Sequence, residues 1–266
     1  KGKEAVSIKR LHWSIHPVKS AGLTHTSTGA LTSPWYESQK ATMLEEDIAR
    51  ELDINYATSI KGQVFPDYTE RHRIQNYVPD TTGSIVRCFD PGLTFAVLWL
   101  HIDNYGRIVA FKENVIENAR IRDVGELVQE EARALDAASG PYKYEDYGDP
   151  AGASRSGAGS ENPEYTTLAY EYDIDVDYTF MSEMPPRMRV KNRIAAIRRK
   201  LGEFCVQRGT PMLLVDTVNC PTLNEALAEG YRWKVDKITR EVKQEVDERH
   251  PYEDVVDCLG YGLLGK

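Results

Sequence analysis

The chain has 266 residues, 41% of them hydrophobic and 28% charged, a balance that builds a globular core and excludes wholesale disorder or a collagen-like structure. With 33 basic against 41 acidic side chains the formal charge is −8, so a nucleic-acid partner must be sought in local basic patches. No run approaches the roughly 18 apolar residues of a membrane span, and the chain opens on Lys1 with no signal peptide after it, which reads as a piece cut from a longer protein.

Val6 to Ile15 has the composition of a strand. Residues 17–34 are small, polar and turn-rich and read as a loop. Ser33-Pro34 then supplies a cap and a first-position proline for a helix running to about Leu52. Ile85 to Phe89 is a short strand ending in Asp90-Pro91-Gly92. Leu93 to Ile102 is almost continuously apolar, as a strand covered on both faces is. Asn104-Tyr105-Gly106 turns the chain into a third strand, Arg107 to Val115. Ile121, Val124, Leu127, Val128, Ala132 and Leu135 recur at helical spacing until Gly140-Pro141. Tyr144 to Tyr147 is a polar strand running into Gly148-Asp149-Pro150-Ala151-Gly152, and residues 151–163 read as a flexible loop before a short helix to about Tyr172. Val190, Ile194, Ile197, Leu201 and Phe204 mark a long amphipathic helix. Met212 to Val215 is a buried strand, Pro221 to Ala228 a short helix, Tyr231 to Val246 a hairpin, and His250-Pro251 opens the last helix.

Strands joined by tight turns pair antiparallel, and strands joined through helices pair parallel. The order therefore predicts an α/β fold over residues 81–266: a mixed sheet of three antiparallel strands followed by parallel ones, helices on both faces, and an auxiliary β-hairpin. Residues 1–80 form a separate segment. Cys88, Cys205, Cys220 and Cys258 are too far apart for any C-x-x-C pair, and are expected as buried thiols of an intracellular protein.

The chemistry lies in where the aspartates fall. Asp90 and Asp149 each follow a strand, and open α/β sheets build their sites at the carboxyl ends of strands. Asp254 and Asp257 are three residues apart on the last helix and share a face. Such acids suit hard divalent cations, and two ions about 3.5–4 Å apart can activate a water and stabilise the leaving oxygen of a phosphodiester. Each acid also has an ordinary reading. Aspartate after a strand starts turns and caps helices, and Asp254 and Asp257 lie opposite Val255, Val256, Leu259 and Leu263 as a solvated face would. Asp216 competes for a strand-end role, but Pro221 and Asn224 downstream give it a loop or capping part. Asp146 points away from Asp149, and His12 and His16 fall in a segment read as strand, not as a metal-binding helix.

From Arg187 to Arg208 there are eight basic residues against Glu203 alone, a local +7 that leaves −15 elsewhere. The stripe, with Arg187, Arg189, Lys191, Arg198 and Arg199, reads either as the solvated face of an amphipathic helix or as a track for a phosphate backbone. The hairpin tip, with Lys237 and Arg240, leads within a few residues to Asp254 and is expected beside the acids. No Gly-rich Lys-Ser/Thr phosphate loop occurs anywhere in the chain.

Asp at the end of the first strand, Asp at the end of the fourth and Asp on the final helix is the order of ribonuclease H-like nucleases. Three segments, Phe89-Asp90-Pro91-Gly92, Gly148-Asp149-Pro150-Ala151-Gly152 and Asp254-Val255-Val256-Asp257-Cys258-Leu259-Gly260-Tyr261, resemble the nuclease motifs of phage large terminase subunits. Leu11-His12-Trp13, Trp35-Tyr36, Ile48 to Tyr56 and Gly62-Gln63-Val64-Phe65 resemble the stretch that joins ATPase to nuclease in that family.

The resemblance implies a metal-dependent DNA endonuclease of a viral packaging motor, acting in the host cytoplasm on concatemeric double-stranded DNA. It implies two Mg²⁺ or Mn²⁺ ions, with Asp90, Asp149 and Asp257 as catalytic ligands and Asp254 as an auxiliary one, where many members carry His. Portal and small terminase subunit are the implied protein partners, with no membrane involved, and residues 1–80 would follow an ATPase domain. The alternatives are another ribonuclease H-like nuclease of the resolvase or transposase type, or a module that docks on DNA or portal without cutting.

Overall fold

The apolar runs after residue 84 become the centre of a seven-stranded sheet. The structure, a computed structural model, describes residues 11–26, 30–40, 43, 48, 52–53, 62–154, 162–235, 242–247 and 249–266. Two compact units divide at Lys61/Gly62.

In the first unit, Trp13–Ile15 is a single 3₁₀ turn, so the strand expected over Val6 to Ile15 is not there in its described part; residues 1–10 lie outside the described residues. His12 caps that turn, its side chain accepting from Ser14 N. Two short strands, β1 (Thr24–His25) and β2 (Leu31–Thr32), pair antiparallel. Helix α1 spans Pro34–Lys40; Ser33 Oγ accepts from Tyr36 N and caps it as expected. The continuation of that helix toward Leu52 falls mostly outside the described residues. Trp13 is buried and stacks on Tyr36 with ring centroids 4.8 Å apart.

In the second unit, β3 (Arg73–Ile74), β4 (Ser84–Asp90), β5 (Thr94–Ile102), β6 (Ile108–Glu117), β7 (Lys143–Gly148), β8 (Val176–Asp177) and β11 (Leu213–Asp216) form one sheet in the order β3-β11-β6-β5-β4-β7-β8. β4–β5 and β5–β6 are antiparallel, while β4–β7, β7–β8, β6–β11 and β11–β3 are parallel, the mixed pattern predicted from the connections. Residues 62–80, grouped with the N-terminal segment by the sequence, belong to this unit, because β3 adds to the sheet edge and Phe65 and Tyr68 enter its core. Strands β9 (Phe204–Cys205) and β10 (Thr210–Pro211) make a separate small hairpin.

Period-two alternation splits the central strands between two cores. Val86, Cys88, Leu98 and Leu100 face helices α4 (Pro186–Gly202) and α6 (Tyr252–Gly265); Ile85, Phe89, Val97 and Trp99 face α2 (Ile121–Ser139) and α3 (Glu164–Tyr172). The polar strand β7 is held in the sheet by a buried ion pair across to β4. Arg87 Nε and Nη2 donate to Asp146 Oδ1 and Oδ2, each at 2.6 Å. All four cysteines are buried and none forms a disulfide. No helix among the described residues is long and apolar enough to cross a membrane.

Helix α4 buries Ile194, Ile197 and Leu201 as expected, but Val190 is exposed, and Phe204 lies beyond the helix in β9, also exposed. Their place on the inner face is taken by Arg193 and Ala196. A short helix α5 (Pro221–Glu225) precedes a hairpin of β12 (Arg232–Val235) and β13 (Val242–Asp247), paired Arg232↔Asp247 and Trp233↔Val246. The expected tip residues Lys237 and Arg240 lie outside the described residues.

Candidate active site

Asp90 closes β4 and Asp149 follows β7. The parallel register pairs Phe89 with Gly148, so the two acids leave the same sheet edge side by side. Asp149 N donates to Phe89 O at 3.3 Å, tying the two strand ends together. Asp149 caps a 3₁₀ turn, Pro150–Ala153, with Oδ1 accepting from Ala151 N at 2.6 Å. The ordinary role foreseen for an aspartate after a strand is thus filled, by one oxygen of the carboxylate. Gly148 and Gly152 are required by close approach: a Cβ at either would run into the Tyr165 side chain of α3, which is itself buried.

Helix α6 brings the other two acids. It packs on β4, β5 and β7 through Val255, Val256, Leu259 and Leu263, and Cys258 Sγ donates to Ala96 O at 3.5 Å. Asp254 is only 4% exposed and the Asp257 side chain 19%. The solvated-face reading of this pair therefore fails: the helix is enclosed on nearly every side.

Tyr261, one turn beyond Asp257, reaches across to the strand ends. Its hydroxyl proton is shared between Asp149 Oδ2 at 2.9 Å and Asp90 Oδ1 at 3.2 Å, so those two carboxylate oxygens lie within the sum of those distances. Burial, and then the negative charges of Asp257, Asp254 and Asp149, hold the Asp90 carboxyl well above the usual carboxylate range. Burial pushes Asp257 up to about 6 against the pull of Arg193. Burial also raises Asp254, against its hydrogen bond from His250. The Tyr261 hydroxyl is raised by burial and by Asp90 and Asp257. Asp257, Asp254 and Asp149 are thus each near enough to act on the charge of Asp90.

Two basic side chains touch the cluster. Arg193 Nη2 donates to Asp257 Oδ2 at 2.5 Å. His250 Nδ1 lies 3.0 Å from Asp254 Oδ2, and its Nε2 lies 3.2 Å from Glu253 Oε1. One donor atom from each of His250, Glu253 and Asp254 falls within 4.8 Å of the others.

The fold thus brings Asp90, Asp149, Asp254 and Asp257 together. Asp216, by contrast, is a buried loop anchor that accepts from Tyr77 N, Val218 N and Asn219 Nδ2 at 2.7–3.0 Å, the capping part that its sequence context gives it. Arg193, Tyr261 and His250 were not singled out by sequence. Tyr261 stands four residues after Asp257, and that spacing was available as a signal. Arg193 was counted in the basic stripe, though its place four residues before Ile197, beside the apolar face, marks it as different.

The remaining basic candidates lie on the outer side of α4. Lys191, Arg198 and Arg199 are exposed, and Arg189 is half-buried, with Nε donating to Met184 O at 3.3 Å. Arg198 is tethered: its Nε donates to Val64 O at 2.8 Å and its guanidinium lies 6.0 Å from the Trp233 ring. Lys191, Ile194, Ala195, Arg198, Trp233, Val242 and Lys243 line a groove of about 680 Å³ between α4 and the hairpin. The side chain of Arg187, like Lys237 and Arg240, lies outside the described residues.

No protein-family model matches the chain, and no curated protein matches it in sequence. Its shape does match solved structures. The P22 large terminase nuclease domain superposes with a TM-score of 0.51 at 14% identity, over 77% of this chain and 92% of that one. The large terminase of a thermophilic bacteriophage superposes with a TM-score of 0.52 at 14% identity, over 87% of this chain and 52% of that one. The complex of that phage protein with ADP gives 0.53 at 13% identity, over 86% of this chain and 51% of that one. The chain thus spans about half the length of the thermophilic phage protein. The sheet order, the crossing helices and these superpositions give one conclusion: the chain has the ribonuclease H-like fold of large terminase nuclease domains.

Proposed function

We propose that this chain is a divalent-metal-dependent DNA endonuclease, the cutting domain of a viral large terminase that trims concatemeric genomes during packaging. The observation that carries the reading is the cluster of Asp90, Asp149, Asp254 and Asp257, each from a different part of the chain's topology or a different turn of α6, converging at the carboxyl edge of β4 and β7.

The cluster fits a metal. Its donors are all carboxylate oxygens, the ligands that hard cations take. The charges of Asp257, Asp254 and Asp149 raise Asp90 beyond the effect of its burial, so a cation placed among them would relieve their repulsion. Asp90, in the field of the other three, would be shared between two Mg²⁺ or Mn²⁺ ions; Asp149 and Asp257 would hold one each, and Asp254 would orient a ligand or a water. Ions bound there supply a water-derived nucleophile at neutral pH and charge stabilisation at the leaving oxygen. The residues of the chain do the rest. Tyr261 fixes the separation of the two strand-end acids, and the enclosed helix α6 keeps the carboxylates from rotating into solvent, which is what preorganisation requires.

Arg187, Arg189, Lys191, Arg198 and Arg199, with Lys237 and Arg240 of the hairpin, would contact the phosphate backbone of double-stranded DNA without reading its sequence. Residues 1–61, less than the 1–80 that the sequence suggests, would be the segment following an ATPase motor domain, and residues 62–266 the nuclease proper. Portal and small terminase subunit would be partners in the host cytoplasm.

The test is cleavage of supercoiled plasmid by the purified chain with Mn²⁺ or Mg²⁺, with and without chelator. Metal-dependent linear or nicked product is the expected outcome. DNA retention without any cleavage would instead make the chain a docking module. Activity confined to branched junctions would place it among resolvases.

A further inference from the structure

Arg193 is the only buried one among the described basic residues of α4. Its aliphatic stem lies across α6 at Gly260, where a Cβ would come within 2.7 Å of Arg193 Cβ, Cγ and Cδ. The guanidinium lies 5.1 Å from the Tyr261 ring centroid, and Nη2 donates to Asp257 Oδ2 at 2.5 Å. Arg193 is therefore packed among Gly260, the face of Tyr261 and the carboxylate, its side chain only 7% exposed. Asp257 Oδ2 is engaged, while Oδ1 accepts no hydrogen bond among the described residues.

We propose that Arg193 is a positioning residue that stays on Oδ2 of Asp257 in every state of the site. Asp257 then offers Oδ1 alone to a divalent cation and binds it more weakly than the Asp90–Asp149 pair does. The inference rests on the metal-nuclease reading and adds an order to it: the cation at the strand ends binds first, and the one at Asp257 is held back by a fixed positive charge. The physical reason is direct repulsion in a partly dry site, where a unit charge acts more strongly than in water. A guanidinium serves here better than an ammonium, because its planar fork can lie on an aromatic face while one nitrogen holds the carboxylate.

The experiment is a calorimetric Mn²⁺ titration of the DNA-free chain, comparing wild type with R193M and R193K. Wild type is expected to show one tight ion and a second that is at least about tenfold weaker or unseen, the scale of one fixed unit charge beside a site. R193M should tighten the weak ion by about tenfold or more and leave the tight one within about threefold. R193K keeps the charge and the aliphatic stem, and should keep the weak ion weak. Equal binding of two ions by wild type, unchanged or weakened binding in R193M, or tightening in R193K would each overturn the proposal. If R193M does not fold, the R193K arm and the wild-type isotherm still decide it. A wild type that binds no Mn²⁺ at all would remove the metal-nuclease reading itself, whereas wild-type binding that R193M leaves unaltered would remove only this inference.

Discussion

Phe89 and Gly148 are direct partners across the parallel strands β4 and β7, and each is followed in sequence by an aspartate. The spacing of the Asp90 and Asp149 backbones is therefore set by the sheet's own hydrogen-bond ladder, and the Tyr261 hydroxyl then ties their carboxylates together.

The candidate acids should separate by stability. Asp90→Asn, Asp149→Asn and Asp257→Asn should each abolish cleavage, because the amide loses the charge that a hard cation needs. In chelator their melting temperatures should diverge. Asp90→Asn removes a buried charge that its acidic neighbours repel, so its melting temperature should hold or rise. Asp257→Asn leaves the buried Arg193 guanidinium without its carboxylate, a loss of about 3–5 kcal/mol when a buried pair is broken from one side. Thermal unfolding of the two variants side by side checks this; a common shift would mean that Arg193 and Asp257 are not coupled.

Stability of the metal-free chain should fall as pH rises through the acid cluster. Asp257 is pushed up to about 6 from an ordinary 3.8, and Asp90 and Asp254 are raised as well. Between about pH 4 and 6 the folded state then holds protons that the unfolded state has released, so stability decreases with pH over that window. Glu145, despite the upward push of its burial, is lowered to about 2 by its hydrogen bonds to Lys266 and Lys143; it has the opposite sign and acts at lower pH. Urea unfolding at pH 4.5, 5.5 and 6.5 in chelator gives the slope, and Asp90→Asn should flatten it. Added Mn²⁺ should remove the decline, since a bound cation replaces those protons.

DNA affinity should depend steeply on salt and little on sequence. Each phosphate contact contributes about 0.9 to the slope of log K against log salt on duplex DNA. Arg198→Ala loses the bond to Val64 O and the cover over Trp233, so its effect mixes packing with charge. Lys191→Ala with Arg199→Ala is the cleaner pair, and should weaken binding to all sequences and reduce the slope by about 2. An unchanged slope in filter binding would return α4's outer face to the role of a solvated surface.

Gly148→Ala should damage the site through packing alone. The added methyl meets the Tyr165 hydroxyl and the carbonyl of Phe89, the latter at 2.9 Å, an overpacking worth about 1–3 kcal/mol. Melting temperature and Mn²⁺ affinity should fall together. Tyr165→Phe in the same chain should restore part of both by removing the oxygen that meets the methyl.

The acids and the sheet were legible in the sequence because both follow from local rules. Apolar runs between turn residues make strands, and an aspartate after such a run stands at a strand's carboxyl end. Arg193 and Tyr261 escaped because their importance lies in what they meet across the fold, whereas His250 meets Glu253 and Asp254 only three and four residues on, a local spacing that was open to reading. An arginine reads as solvated on a helical wheel, and only the packing of α4 against α6 turns it inward. The same blindness placed Val190 and Phe204 in the core, when the helix ends at Gly202 and rolls a different face toward the sheet. Asp254 and Asp257 looked like a wet face for a related reason: α6 has a polar side, but Tyr261, His250 and Arg193 line it.

Helix α6 covers Val86, Cys88, Leu98 and Leu100 as well as delivering Asp254 and Asp257. The strands it covers pair with near neighbours in sequence, β4 with β5 and β5 with β6, and can form from short loops. The helix must return over a far longer stretch of chain. On a ribosome, the meander would emerge first as a half-dressed sheet with a bare oily face and only one of its acids in place. The acid cluster would be completed last, by the same docking event that covers that face, so that whatever chemistry it carries waits for the finished fold.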